Sequence, residues 1–153
     1  PYAALLSSYM NLENTAEGGY LGTDMVQTIL PQLLEEKIRP VFQNHVITYR
    51  GSYSNTINSA KNSSSSIQVE REIDLMTNIN VYGAAIWNNS GYDIGMDNHQ
   101  YSLFRLKPSL INTSDYWLRN IENGYFLRVA MTGFSGNYSA SLKNGVRPRF
   151  LIG

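Results

Sequence analysis

Residues 114–153 read SDYWLRNIENGYFLRVAMTGFSGNYSASLKNGVRPRFLIG. Short apolar blocks alternate here with Gly and Asn turns, which predicts successive strands over 116–118, 125–131, 138–142 and 146–152 joined as a meander. The two ends, YWLRN and GVRPRFLIG, read as core. The middle carries few charges and is rich in Gly, Asn, Ser and Tyr. Tyrosine rings give large contact area at low entropic cost, and Ser and Asn adapt their hydrogen bonds. The candidate ligand-binding residues are therefore Asn120, Asn123, Tyr125, Arg128, Ser135, Asn137, Tyr138, Ser139 and Ser141.

Working outward, residues 101–106 supply a short strand or turn with Leu103, Phe104 and Leu106 apolar, ended by Pro108. The run NVYGAAIW at 80–87 is almost continuously apolar with Gly83 inside it, which predicts a buried central strand. Between these lies a polar loop with Asp93, Asp97, Asn98 and His99. The Asp and Asn side chains supply the oxygen ligands a Ca²⁺ site would use, but the EF-hand spacing is missing and Asx turns explain them as well. Residues 67–73 alternate, with Ile67, Val69 and Ile73 against Gln68, Glu70 and Glu72. Across the Ser/Asn-rich stretch GSYSNTINSAKNSSSS this half-exposed strand is expected to pair with HVITYR at 45–50 as a protruding hairpin.

The best helical signal begins at Asp24. Met25, Val26, Ile29, Leu30, Leu33, Leu34 and Ile38 keep helical spacing, and Asp24 with Gln27 forms a capping-box pattern. Pro31 is expected to kink that helix or restart it, and Pro40 to stop it. Glu35, Glu36 and Lys37 form its wet face. Gly18, Gly19 and Gly22 around Tyr20 predict an irregular loop; a phosphate cradle there would need the lysine that is missing. Residues 1–10 fit a short helix or a strand, with a helical turn favoured, and an opening on Pro1 rather than Met leads us to expect sequence upstream.

Composition narrows the function classes. A chain of 153 residues suits one domain. Only 16% of residues are charged and the formal net charge is +0, with no Lys/Arg cluster, so a nucleic-acid partner is not expected. The absence of cysteine removes disulfides, thiolate metal sites and a cysteine nucleophile. No apolar run reaches the roughly 18 residues of a membrane helix, so membrane insertion is not expected. The only histidines, His45 and His99, sit in no metal or nucleophile motif, and Gly133-Phe134-Ser135-Gly136 has its second glycine misplaced for a nucleophile elbow. Glycosylation sequons begin at Asn62, Asn88, Asn112 and Asn137, as an Asn/Ser-rich composition produces by itself.

With these segments placed, GGYLGTDM at 18–25, NVYGAAIW at 80–87, FRL at 104–106, YWLRN at 116–120 and GVRPRFLIG at 145–153 together resemble a domain of unknown function found in phages and prophages, often encoded near tail genes. That domain is similar to the C-type-lectin-like fold of formylglycine-generating enzymes. The resemblance implies a single α+β domain with a short twisted antiparallel sheet, one or two helices from its N-terminal half, and long irregular loops. Trp117, Val146, Pro148, Phe150 and Ile152 would then be structural, and Arg147 would bury its charge against a partner. The catalytic cysteines of formylglycine-generating enzymes and the acidic and amide calcium motifs of C-type lectins have no counterpart, so no cofactor or metal is expected. Some proteins of this fold are receptor-binding proteins diversified by retroelements near the C-terminus, and residues 120–144 have a matching composition.

The expectation is thus a non-catalytic binding domain of a phage or prophage tail, acting in the virion or at a cell surface and recognising a host cell-surface glycan or protein. Two alternatives stand beside it. The polar C-terminal segment could pack against other virion subunits or a second copy of the chain, or Glu70, Glu72, Asp93 and Asp97 could supply the carboxylate pair of a glycan hydrolase.

Overall fold

Residues 116–121 are buried without interruption, which a strand with one wet face cannot be. The computed structural model describes residues 7–8, 10, 19–54, 66–84, 99–122 and 125–153, and together they form a mixed α+β fold with several antiparallel sheets. Strand β6, Tyr116–Glu122, lies in the middle of a five-stranded sheet with order β1-β9-β6-β7-β8. Its neighbours are β1 (Ser7–Ser8), β7 (Tyr125–Val129), β8 (Ser135–Tyr138) and β9 (Asn144–Gly145). Side chains on one face of β6 and β7, Trp117, Ile121 and Phe126, join the larger core. Those on the other face, Tyr116, Leu118, Leu127 and Val129, join a second one. Both faces are covered, so only sheet edges, strand ends and turns are left to meet solvent.

The meander expected over 116–152 holds for three antiparallel strands in sequence order, β6, β7 and β8, but the third lies at 135–138 rather than over 138–142, where residues 139–142 form a turn. It ends there. β9 crosses to the far side of β6 and runs parallel to it at Tyr116↔Gly145. β10, Pro148–Ile152, leaves for a three-stranded sheet between β2 (Val46–Ile47) and β5 (Ile73–Leu75). A hairpin is present but shifted along the chain: β3 (Tyr49–Ser54) pairs with β4 (Ser66–Arg71), in register from Tyr49↔Arg71 to Ser54↔Ser66. Only Tyr49 and Arg50 of the strand expected over 45–50 take part, and residues 51–54 extend the strand instead of opening the loop. Glu72 breaks the alternation read over 67–73, so Ile73 belongs to β5 and a different sheet.

The helix over 25–42 departs from ideal geometry in a way its sequence explains. Val26, Leu30, Leu34 and Ile38 are all buried and recur every four residues. In an α-helix of 3.6 residues per turn such a stripe would drift around the axis. Two wider π turns, Met25–Ile29 and Leu34–Ile38, alternate with α1 (Leu30–Leu33) and α2 (Arg39–Phe42) and keep the stripe facing the core. They also accommodate the prolines. Pro31 and Pro40 each sit at the first turn of an α segment, where a backbone N–H is not required. Pro40 therefore does not stop the helix. Nor does the capping box form: Asp24 makes no side-chain capping bond, and Gln27 Nε2 donates instead to the Leu21 carbonyl.

Three further expectations are corrected. Of the buried strand expected over 80–87, residues 80–82 belong to helix α3, Asn78–Tyr82, and 85–87 lie outside the described residues. Thr77 Oγ1 accepts from Asn80 N at 3.1 Å, Asn80 Oδ1 accepts from Thr77 N at 3.0 Å, and Gly83 at φ 80° ends the helix. Residues 102–106 are helix α4, Ser102–Leu106, rather than the short strand or turn expected over 101–106. Ser7 and Ser8 pair with β9 instead of forming a helical turn. Among the predicted structural residues, Trp117 and Val146 are buried, Pro148 and Phe150 are half-buried, and Ile152 is 54% exposed.

Candidate binding surface

Asp74 at the centre of β5 is 0% exposed. Its Oδ1 accepts from Tyr20 Oη at 2.6 Å and Leu75 N at 2.9 Å. Its Oδ2 accepts from Tyr53 Oη at 2.7 Å and Arg119 Nη1 at 3.1 Å, with Arg149 Nη2 at 3.9 Å. Tyr20 stacks on Tyr53 with centroids 6.1 Å apart, and the Arg119 guanidinium lies 4.7 Å over the Tyr53 ring. Arg149 Nη1 also donates to Tyr101 Oη at 2.8 Å. Burial first, and then the Asp74 charge, hold the Tyr20, Tyr49 and Tyr53 phenols protonated far above their ordinary range. Both carboxylate oxygens are engaged and sealed from solvent, so this hub cross-links segments rather than meeting a substrate. Arg147, expected to be the buried charge, is half-buried: it donates to the Leu110 carbonyl at 2.7 Å and lies over Phe104 and Tyr116.

The sequence-predicted binding residues separate by the pleat of β7 and β8. Their register, Phe126↔Tyr138, Leu127↔Asn137, Arg128↔Gly136 and Val129↔Ser135, places Tyr125, Ser135 and Asn137 on one side and Arg128 and Tyr138 on the other. Tyr125 is 49% exposed, and Asn137 is exposed beside it on the same side. Tyr138 instead packs against the larger core, with the Arg128 guanidinium 3.5 Å over its ring. Arg128 Nη1 is also committed, donating to Asp115 Oδ2 at 2.8 Å and to Asn144 Oδ1 at 2.9 Å. Asn120 is 3% exposed and its Oδ1 accepts from Asn78 N at 2.8 Å, joining β6 to the start of α3. Ser139 and Ser141 share a hydroxyl contact of 2.8 Å in the turn after β8. Asn123 lies outside the described residues, as do Asp93, Asp97 and Asn98.

Two features escaped the sequence reading. One is the turn between β7 and β8, where Met131 is 66% and Phe134 is 76% exposed. The pattern A-M-T-G-F, with Gly133 placed to take positive φ, carried the signal, but the strand expected over 125–131 took in Met131, and Phe134 was left between strands without a role. The other is a groove of about 390 Å³ between the long helix and the β4–β5 junction, lined by Pro31, Leu34, Glu35, Thr48, Glu70, Arg71, Glu72 and Ile73. Arg39 spans two of its carboxylates, with Nε 2.6 Å from Glu35 and Nη2 2.7 Å from Glu72. Among the described residues there is no cluster of His, Asp and Glu that could hold a metal ion, and no helix is long and apolar enough to cross a membrane. No protein-family model matches the chain, and no curated protein or solved structure is significantly similar to it.

Proposed function

We propose that this chain is a non-catalytic, C-type-lectin-like binding domain of a phage or prophage tail-associated protein that recognises a cell-surface glycan or protein through the β7–β8 region. The observation that carries the reading is the half-exposed ring of Tyr125 beside exposed Asn137, with β7 held by cores on both faces and β8 anchored to one of them through Tyr138. A ring held on such a support offers contact area without ordering a loop, and the amide adds directional hydrogen bonds. Within the predicted set, Tyr125 and Asn137 are the residues to contact a partner, whereas Arg128, Tyr138 and Asn120 shape the support. The test is adsorption of the labelled domain to a panel of bacterial cells. Tyr125→Ala should lose adsorption with an unchanged melting temperature. Undiminished adsorption by that folded variant would remove Tyr125 from the site, and no adsorption to any cell of the panel would refute the function.

The carboxylate hydrolase stands as a second reading because Glu35, Glu70 and Glu72 line one groove. Against it, Arg39 occupies oxygens of Glu35 and Glu72 that a sugar would have to reach. Release of reducing ends from bacterial polysaccharide, abolished by Glu70→Gln, would overturn the non-catalytic reading.

A further inference from the structure

The geometry points to the turn between β7 and β8 as an anchor that inserts Met131 and Phe134 into an apolar pocket of a protein partner; this rests on the binding reading above and narrows its target from glycan or protein to protein. Met131 and Phe134 are 66% and 76% exposed, and neither belongs to a core cluster of this chain. Their backbone is nevertheless held on every side. Ala130 N donates to Phe134 O at 2.8 Å and Gly133 N to Ala130 O at 2.8 Å, closing the turn. Gly133 sits at φ 87°, a conformation that side chains resist. Tyr82 Oη donates to Gly133 O at 3.0 Å, and Met131 N donates to Asp115 Oδ1 at 2.6 Å. Two large apolar side chains are thus presented to water on a backbone already ordered, which lowers the entropic cost of association.

The shape and charge of the turn select the partner. Small polar ligands such as sugars are held in concave sites by a few precisely placed polar groups, whereas this turn exposes the apolar side chains of Met131 and Phe134, which an apolar pocket of a partner would bury. Interfacial membrane anchors combine apolar side chains with free Lys or Arg. Arg128 is the sole cation in 125–138, and it is held by Asp115 and Asn144 and stacked on Tyr138. Asp115 lies outside the variable-looking segment, yet it fixes both the turn through Oδ1 and Arg128 through Oδ2, which makes it a positioning residue for the surface.

The experiment measures adsorption of the labelled chain to the same bacterial cells untreated, proteinase-treated and periodate-oxidised, and to phosphatidylcholine/phosphatidylglycerol vesicles. Adsorption should survive periodate, disappear after proteinase and be absent from vesicles. The double variant Met131→Ser/Phe134→Ser should weaken it about 30-fold, as loss of an interface hot spot does, with an unchanged melting temperature. Asp115→Asn should slow association while leaving both apolar side chains in place. Loss after periodate, binding to vesicles, or undiminished adsorption by the folded double variant would each overturn the inference. If Tyr125→Ala abolishes adsorption while the double variant retains it, the anchor fails and the binding function stands. If no cell adsorbs the unmodified chain, both fail.

Discussion

Asp74 and Arg119 meet at 3.1 Å in the core, with side chains 0% and 3% exposed. Arg149 approaches the same carboxylate at 3.9 Å, so one buried anion faces two buried cations. Removing the anion leaves both guanidinium groups in the interior without their counter-ion. Asp74→Asn is expected to cost about 3–5 kcal/mol, the usual consequence of breaking a buried ion pair. Arg149→Met, which leaves Asp74 paired with Arg119, should cost less. Urea denaturation of the two variants measures the order, and an Asp74→Asn cost below that of Arg149→Met would contradict the hub.

Pro31 lies inside the long helix, where a proline ordinarily costs about 3 kcal/mol. Leu30 N already reaches back five residues to Met25 O, and Pro31 opens an α segment. Pro31→Ala should therefore change stability by less than about 1 kcal/mol. A gain near 3 kcal/mol in the unfolding free energy would mean that the proline strains the helix.

Thr77 and Asn80 cap α3 reciprocally, at 3.1 and 3.0 Å. Because both residues are buried, water cannot replace the lost bonds. Thr77→Ala should lower stability by about 1–2 kcal/mol, and Thr77→Ser should recover most of it. Equal melting temperatures for the Ala and Ser variants would dismiss the cap.

Tyr138 and Arg128 stack at 3.5 Å. Tyr138→Ala removes that contact together with the ring's packing on the core and should cost about 1–3 kcal/mol. Tyr125→Ala, at a half-exposed position, should stay within about 0.5 kcal/mol of the parent. Thermal melts of the pair distinguish a support residue from a contact residue, and the reverse order would exchange their roles.

Burial pushes the Tyr116 phenol up to about 12, above its ordinary value near 10. Its protonated form is the one the folded state keeps. The resulting stability is fully present below about pH 10 and is lost as pH rises toward about 12. Tyr20, Tyr49, Tyr53 and Tyr82 are shifted the same way, burial being the first cause in each. Absorbance at 295 nm should show an early class of exposed tyrosines and a late class that ionises together with loss of near-ultraviolet circular dichroism. A single transition near pH 10 with structure intact would contradict the burial of these rings.

Local signals in the sequence determined a good deal. The apolar run after Asp24 dictated a helix, the Val/Ile/Tyr alternation flanking the Ser/Asn-rich stretch dictated a hairpin, and Gly and Asn turns divided the C-terminal region into strands. The four-residue spacing of Val26, Leu30, Leu34 and Ile38 already encoded the π turns, and Thr77 with Gly83 already bounded α3, although the apolar run at 80–87 outweighed those caps. Only the tertiary structure decided which side chains face inward. A strand repeats every two residues whichever side is buried, so sequence alone could not tell that β6 and β7 carry a core on each face, which sends Tyr138 inward and leaves Tyr125 exposed. Nor could it pair Asp74 with Arg119 or set Asp115 under the Met131 turn, because those partners are brought together by packing between distant segments and leave no periodic trace in the chain.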